Sequence, residues 1–377
     1  MNSIYPAVEH GIVSRLQNSI FRYQGWPTVT RDENGVLYAA ASGFRVAHIC
    51  PFGKTVMYIS KNEGKTWTPP IVVNDTYLDD RDGGILAMGK GRVLISWFTH
   101  STRYYAEEIY EDIMWRPEPA AKEMTAGLLA GYAHLPEEMS GGGSYVRISE
   151  DGGVTWGEPV RVPITAPHGP TVCRDGSLIY LGNEHYWKDS KKCLEHTDVM
   201  LYRSCDGGTT WEHRSTIMPP AWLGEKEFLT EPYVLELPDG RLLGAFRIDG
   251  RKPFGIATAY SSDGGLTWSE VKDLGVSGSP PHLMFHSSGA LICSYGRREH
   301  PRTIRAMVSY DLGESWDTEF VLDDRSAAFG ADLGYASTVE LSDGSLFTVY
   351  YQKFPGDDVP SILSAKWRLE SKNTNAE

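Results

Sequence analysis

The segments SKNEGKTW (Ser60–Trp67), SEDGGVTW (Ser149–Trp156), SCDGGTTW (Ser204–Trp211), SSDGGLTW (Ser261–Trp268) and SYDLGESW (Ser309–Trp316) are five near-copies of one motif, S-x-D-x-G-x-T-W. Repetition of this kind marks one supersecondary unit per copy. The Ser and Asp side chains can accept hydrogen bonds from the amides of a tight turn, the Gly permits a positive φ, and the Trp can pack beneath the turn. The motifs are therefore expected to staple hairpins, not to carry chemistry.

A second repeat interleaves with the first: strand, Gly-centred turn, strand. It reads GWPTVTRDENGVLYAAA from Gly25, DGGILAMGKGRVLISWF from Asp82, HGPTVCRDGSLIYLGN from His168, EPYVLELPDGRLLGAFR from Glu231, PHLMFHSSGALICSYGRR from Pro281 and YASTVELSDGSLFTVYY from Tyr335. Its turn glycines are Gly35, Gly91, Gly176, Gly240, Gly289 and Gly344, at intervals of 56, 85, 64, 49 and 55 residues. Six units, five followed by the Ser-Asp-Gly-Trp turn, predict an all-β fold: a six-bladed β-propeller of four-stranded blades filling residues 1–377 as one domain. The last unit lacks the turn motif, so its outer strand is expected from the N-terminal segment, which closes the ring and removes an exposed sheet edge.

The long interval contains residues 101–143, where YYAEEIYEDIMW and PAAKEMTAGLLAGYAHL have helical spacing, broken by Pro117 and Pro119 and closed by Gly141, Gly142 and Gly143. A helical insertion in the second blade follows. A lid, a contact for a homo-oligomer and a packed excursion are all open to it.

Composition agrees with many short strands joined by tight turns: 11 Trp, 20 Tyr, 39 Gly and 22 Pro. The net charge of −13 argues against nucleic-acid partners and anionic membrane surfaces. Cys50, Cys173, Cys193, Cys205 and Cys293 are odd in number and scattered, with no C-x-x-C pair, and read as reduced, mostly buried thiols. Without a leader-like or membrane-spanning run, a cytoplasmic location is expected. No cofactor is expected, and only the carboxylates of Asp79–Asp82 are grouped closely enough to suggest a metal.

Ligand sites of propellers sit at one mouth of the central channel, where equivalent strand starts converge. Those starts supply Gly25 and Trp26, then Asp79–Asp82, His168, Glu231, His282 and Tyr335. The following strands end in Arg247, Arg297 and Arg298, and guanidinium forks bind carboxylates, so Arg247 with Arg298 or Arg302 is expected to form an anion-binding wall.

The turn motifs, the run TEPYVLELPDGRLLGAFR (Thr230–Arg247) and GYASTVELSDGSL (Gly334–Leu346) together resemble the sialidase (neuraminidase) superfamily of exo-glycosidases over nearly the whole chain. The resemblance implies hydrolysis of a terminal acidic sugar, with retention, by a Tyr335 nucleophile whose proton goes to Glu231. A neutral nucleophile suits an anomeric carbon that bears a carboxylate, and a phenol with an ordinary pKa near 10 needs such a base. It further implies that Arg247, with Arg298 or Arg302, belongs to an arginine triad.

The first blade departs from that pattern. Gly25-Trp26-Pro27 stands where the family has Arg-Ile-Pro, so Arg22, Arg45 or Arg81 would have to replace the first arginine. The family's acid/base aspartate is also missing, since no Asp or Glu occurs from Asn34 to Asn62. His48, supported by a carboxylate, is one substitute; Asp79, Asp80 and Asp82 are others. Two different functions remain open: a lyase of uronate-containing glycans, and a non-catalytic carbohydrate-binding propeller.

Overall fold

The computed structural model describes residues 2–114, 119–185, 198–316, 318–325 and 330–369. Their strands form six sheets, and the innermost strands of neighbouring sheets touch in a closed ring. In the first blade the strands Tyr23–Arg31, Leu37–Arg45, Lys54–Ser60 and Ile71–Asn74 run antiparallel from channel to rim. The second, fourth and fifth blades repeat this order, starting at Arg81, Phe228 and Ser279. The third opens on a two-residue strand, Thr171–Val172.

The sixth blade has three strands of its own, Gly334–Glu340, Leu346–Lys353 and Pro360–Trp367, and takes its fourth from Glu9–Ser14. The ring is thus closed by the N-terminal segment, as the missing sixth turn motif required. One addition lies outside the repeat logic: Asn2–Ile4 pairs in parallel with Thr318–Asp323 at the rim of the fifth blade.

Each turn motif folds as its chemistry dictates. In the second blade Ser149 Oγ accepts from the Gly153 amide at 2.8 Å, and Asp151 Oδ1 accepts from the Thr155 amide at 2.8 Å. The same bonds recur around Ser204 and Asp206, Ser261 and Asp263, and Ser309 and Asp311. Trp67, Trp156, Trp211, Trp268 and Trp316 each pack against a different apolar cluster. Six such clusters fill the six interfaces between blades.

The insertion joins strands Arg92–Thr99 and Gly143–Ser149 of the second blade through short helices at Tyr104–Glu108, Tyr110–Met114, Pro119–Tyr132 and Glu137–Ser140. Trp115 and Pro117 lie outside the described residues. Tyr105, Ile113, Leu129 and Tyr132 form a seventh cluster with Ile49. Tyr105 donates to Asp79 at 3.2 Å and Tyr132 donates to the carbonyl of Pro51, so the insertion is pinned both to the segment joining the first two blades and to the Arg45–Gly53 loop of the first.

Among the described residues no helix is long and apolar enough to cross a membrane, and no group of three or more His, Cys, Asp or Glu is arranged to hold a metal ion. Cys50 and Cys293 are buried, Cys173 is half-buried and Cys205 is exposed, all four as free thiols. Cys193 lies outside the described residues.

Candidate active site

All six turn glycines adopt φ between 72° and 91° where the innermost strand turns into the next. Nine residues earlier stand Trp26, Asp82, Pro167, Glu231, Pro280 and Tyr335. In five blades the pairing of the innermost strand slips by one residue at this point. Thr230 faces Arg247 but Tyr233 faces Ala245; likewise Gly334 faces Tyr351 but Ser337 faces Val349. The slips after Gly25, Arg81 and Ser279 are the same.

Such a bulge re-aims one side chain. Trp26, Asp82, Glu231 and Tyr335 hold φ of 56°, 51°, 45° and 51°, a left-handed conformation that costs a residue with a Cβ on the order of 1–2 kcal/mol. All four side chains line one cavity of about 650 Å³ at the channel mouth. Strain repeated at the four positions that share a pocket marks a built site.

Tyr335 donates its hydroxyl hydrogen bond to Glu231 Oε1, and Arg247 Nη1 holds Glu231 Oε2 at 2.8 Å. Arg247 Nη2 also reaches Asp249 at 2.6 Å and its guanidinium lies 4.0 Å from the Phe254 ring centre. Burial would raise the Glu231 carboxyl, but Arg247, the Tyr335 bond and Arg298 outweigh it and keep it below the usual value. Burial, then the charges of Glu231 and Asp82, hold the Tyr335 phenol well above its usual range. A base is thus ionised beside a protonated phenol.

Three arginines line the cavity: Arg81, Arg247 and Arg298. Arg298 is braced by the Leu333 carbonyl at 3.0 Å and lies 5.8 Å from the Tyr335 ring centre. Asp82, buried with its Oδ1 unpartnered among the described residues, is pushed up to about 7 by burial, which Arg81 only partly offsets.

His48 also lines the cavity, and its Nδ1 lies 3.0 Å from Asp332 Oδ1 and 2.9 Å from the Tyr23 hydroxyl. Asp332 accepts from Tyr23 and Tyr351 as well, each at 2.9 Å. Burial would raise its carboxyl, but His48 and the two tyrosines bring it down to about 2.

The other expected site residues lie elsewhere. Asp80 binds Thr76 through both oxygens, at 2.9 and 2.8 Å, inside its own turn. Arg45 is fully buried in a two-pronged pair with Asp79, one prong at 2.8 Å, which removes both from the cavity wall. Neither His168 nor His282 lines the cavity, because they stand one residue after Pro167 and two after Pro280, past the position nine before the turn glycine: His282 stacks on Tyr233 at 4.7 Å, and His168 lies 5.0 Å from His282 and 6.3 Å from Tyr335. Burial lowers His168 to about 3, so it is neutral packing beneath Tyr335. Arg302, beyond the end of its strand, and Arg22, paired with Asp358 at 2.9 Å, are not on the wall either.

The sequence reading missed Asp332, Asp249, Lys226 and the aromatic wall of Phe98, His100 and Tyr104. Asp249 had a legible signal, being two residues past Arg247 on the same face of one strand. Asp332 had none, because its partner His48 is 284 residues away.

Residues 106–348 match the BNR repeat-like domain family. No curated protein matches the chain. Among solved structures, a protein of unknown function from Dyadobacter fermentans superposes with a TM-score of 0.75 at 22% identity, covering 97% of this chain and 100% of that one. The intramolecular trans-sialidase from Ruminococcus gnavus gives 0.63 at 16% identity, over 93% and 95% of the two chains. The NanB sialidase from Streptococcus pneumoniae gives 0.68 at 13%, over 95% and 70%. At these identities the likeness establishes the shared propeller. The chain belongs to the BNR repeat-like domain family, as a six-bladed β-propeller whose fold it shares with solved sialidases.

Proposed function

We propose that the protein is a retaining exo-glycosidase that releases a terminal acidic sugar, with Tyr335 as nucleophile and Glu231 as its base. The observation that carries this is the Tyr335 hydroxyl donating to Glu231, whose second oxygen Arg247 holds at 2.8 Å. The Tyr335 oxygen bonds to the anomeric carbon as the bond to the leaving-group oxygen breaks, and the phenolic proton passes to Glu231. Water then displaces Tyr335, which recovers that proton. Arg81, Arg298 and Arg247 supply positive charge for the sugar's carboxylate, and an uncharged nucleophile meets that carboxylate without repulsion.

A screen of terminal acidic glycosides, with products read by mass, tests the proposal. Release of the free sugar by wild type, abolished in a folded Tyr335→Phe variant, is the expected result. An unsaturated, ultraviolet-absorbing product would make the protein a lyase, and binding without any product would make it a sugar-binding propeller.

A further inference from the structure

The reaction proposed above needs a group that protonates the leaving-group oxygen, and the first blade has no carboxylate in the place where the family resemblance puts one. We propose that His48, oriented by Asp332, is that acid, and that it serves as the base for water in the second step. The inference rests on the glycosidase reading.

The hydrogen-bond pattern fixes the tautomer. Asp332 carries no proton, and the single hydroxyl proton of Tyr23 is committed to Asp332 Oδ2 at 2.9 Å. Both groups that face His48 Nδ1 therefore accept, so Nδ1 carries the hydrogen and Nε2 is left for exchange. The His48 side chain is half-buried and lines the cavity. Its ring meets the Trp26 ring edge-on at 5.0 Å, and Trp26 in turn meets the Tyr335 ring at 6.5 Å, so that acid and nucleophile neighbour the same indole on the wall of one cavity. Asp332 is a positioning residue: Tyr23 and Tyr351 tether it, and by accepting from Nδ1 it fixes the orientation and tautomer of the imidazole.

The step balances. Protonated His48 gives its Nε2 proton to the leaving-group oxygen as the Tyr335 oxygen bonds to the anomeric carbon. Neutral His48 then takes a proton from the water that attacks that carbon, and the bond to Tyr335 breaks.

The charged and titratable groups facing His48 are Asp332 and Tyr23, which stabilise its cation, and Arg81 and Arg298, which oppose it. Arg45 binds its backbone carbonyl at 2.8 Å, and Tyr351 acts through Asp332. In the free protein burial outweighs Asp332 and holds the imidazole below its usual pKa. A sugar carboxylate at Arg81 and Arg298 would offset the two opposing cations, so the alkaline limb of kcat should lie at higher pH than that of kcat/KM.

The test compares the 4-nitrophenyl and methyl glycosides of the acidic sugar that wild type releases. His48→Gln should lose roughly 10²-fold or more on the methyl glycoside, whose leaving group needs a proton, and less than about 10-fold on the nitrophenyl one. Asp332→Asn should move the alkaline limb to lower pH. Equal losses of His48→Gln on both glycosides, or a leaving-group dependence that follows Asp82→Asn instead, would overturn the assignment. So would an imidazole nitrogen NMR spectrum of the whole protein showing His48 protonated on Nε2 alone. Tyr335→Phe separates the two claims: activity surviving in that variant defeats the nucleophile whatever His48 does.

Discussion

The guanidinium carbon of Arg81 lies 4.4 Å from the centre of the Trp26 ring, on which Arg45 also packs, at 4.8 Å. The two arginines differ in what they have left to give. Arg45 is closed off by Asp79, whereas Arg81 reaches Asp79 only at 3.9 Å and lines the cavity. Arg81→Gln should therefore weaken binding of the acidic sugar by about 10- to 100-fold, the range for a charged hydrogen bond, with little change in melting temperature. Arg45→Gln strands Asp79 in the interior and should cost about 3–5 kcal/mol of stability. Calorimetric binding and thermal unfolding of the pair check this, and a reversed pattern would contradict it.

Arg247 is the main reason that the buried Glu231 stays ionised. Lysine keeps the charge but cannot span Glu231 and Asp249 with a planar fork. Arg247→Lys should raise the pKa of Glu231, so activity, which in the proposed reaction needs its carboxylate, should fall at higher pH on the acid side. The kcat/KM profile reads this directly, and an unmoved acid limb would refute it.

Asp82 is raised to about 7 in the folded protein against an ordinary value of 3.8. A raised acid favours the fold fully below the unfolded pKa and loses that contribution as pH rises through the folded pKa. Wild type should therefore lose stability between about pH 4 and pH 7 on this account, by on the order of a few kcal/mol. Asp82→Asn lacks the titration. Its melting temperature relative to wild type should climb across that window and level off above it.

Removal of residues 1–14 takes away the fourth strand of the sixth blade and uncovers the edge of Pro360–Trp367. An open, apolar edge invites pairing between molecules. The truncated chain should melt at lower temperature and aggregate with increasing concentration, as read by unfolding and size-exclusion runs. An unchanged melting temperature would show that the ring does not depend on this strand.

The blades were legible because their signals are local: a Ser-Asp-Gly-Trp turn closes on its own amides, and a glycine at positive φ turns each innermost strand into the next. The site was half legible for the same reason. Trp26, Asp82, Glu231 and Tyr335 share one nine-residue spacing to the turn glycine, and that spacing separates them from His168 and His282, which approximate equivalence of strand starts had grouped with them. Asp80 and Asp82 differ only in that one faces its own turn and the other a bulge, a distinction that depends on strand register. Asp332 meets His48 only after the sixth blade has closed against the first, and no spacing in the chain announces that contact.

The most direct measurement is trapping of the intermediate. A fluorinated acidic glycosyl fluoride that forms the covalent adduct quickly and hydrolyses slowly, incubated with the intact protein, should raise its mass by one sugar. Peptide mapping should place the addition on Tyr335, and Tyr335→Phe should take up none. Turnover of the unfluorinated glycoside with no adduct, or an adduct on another residue, would contradict the account.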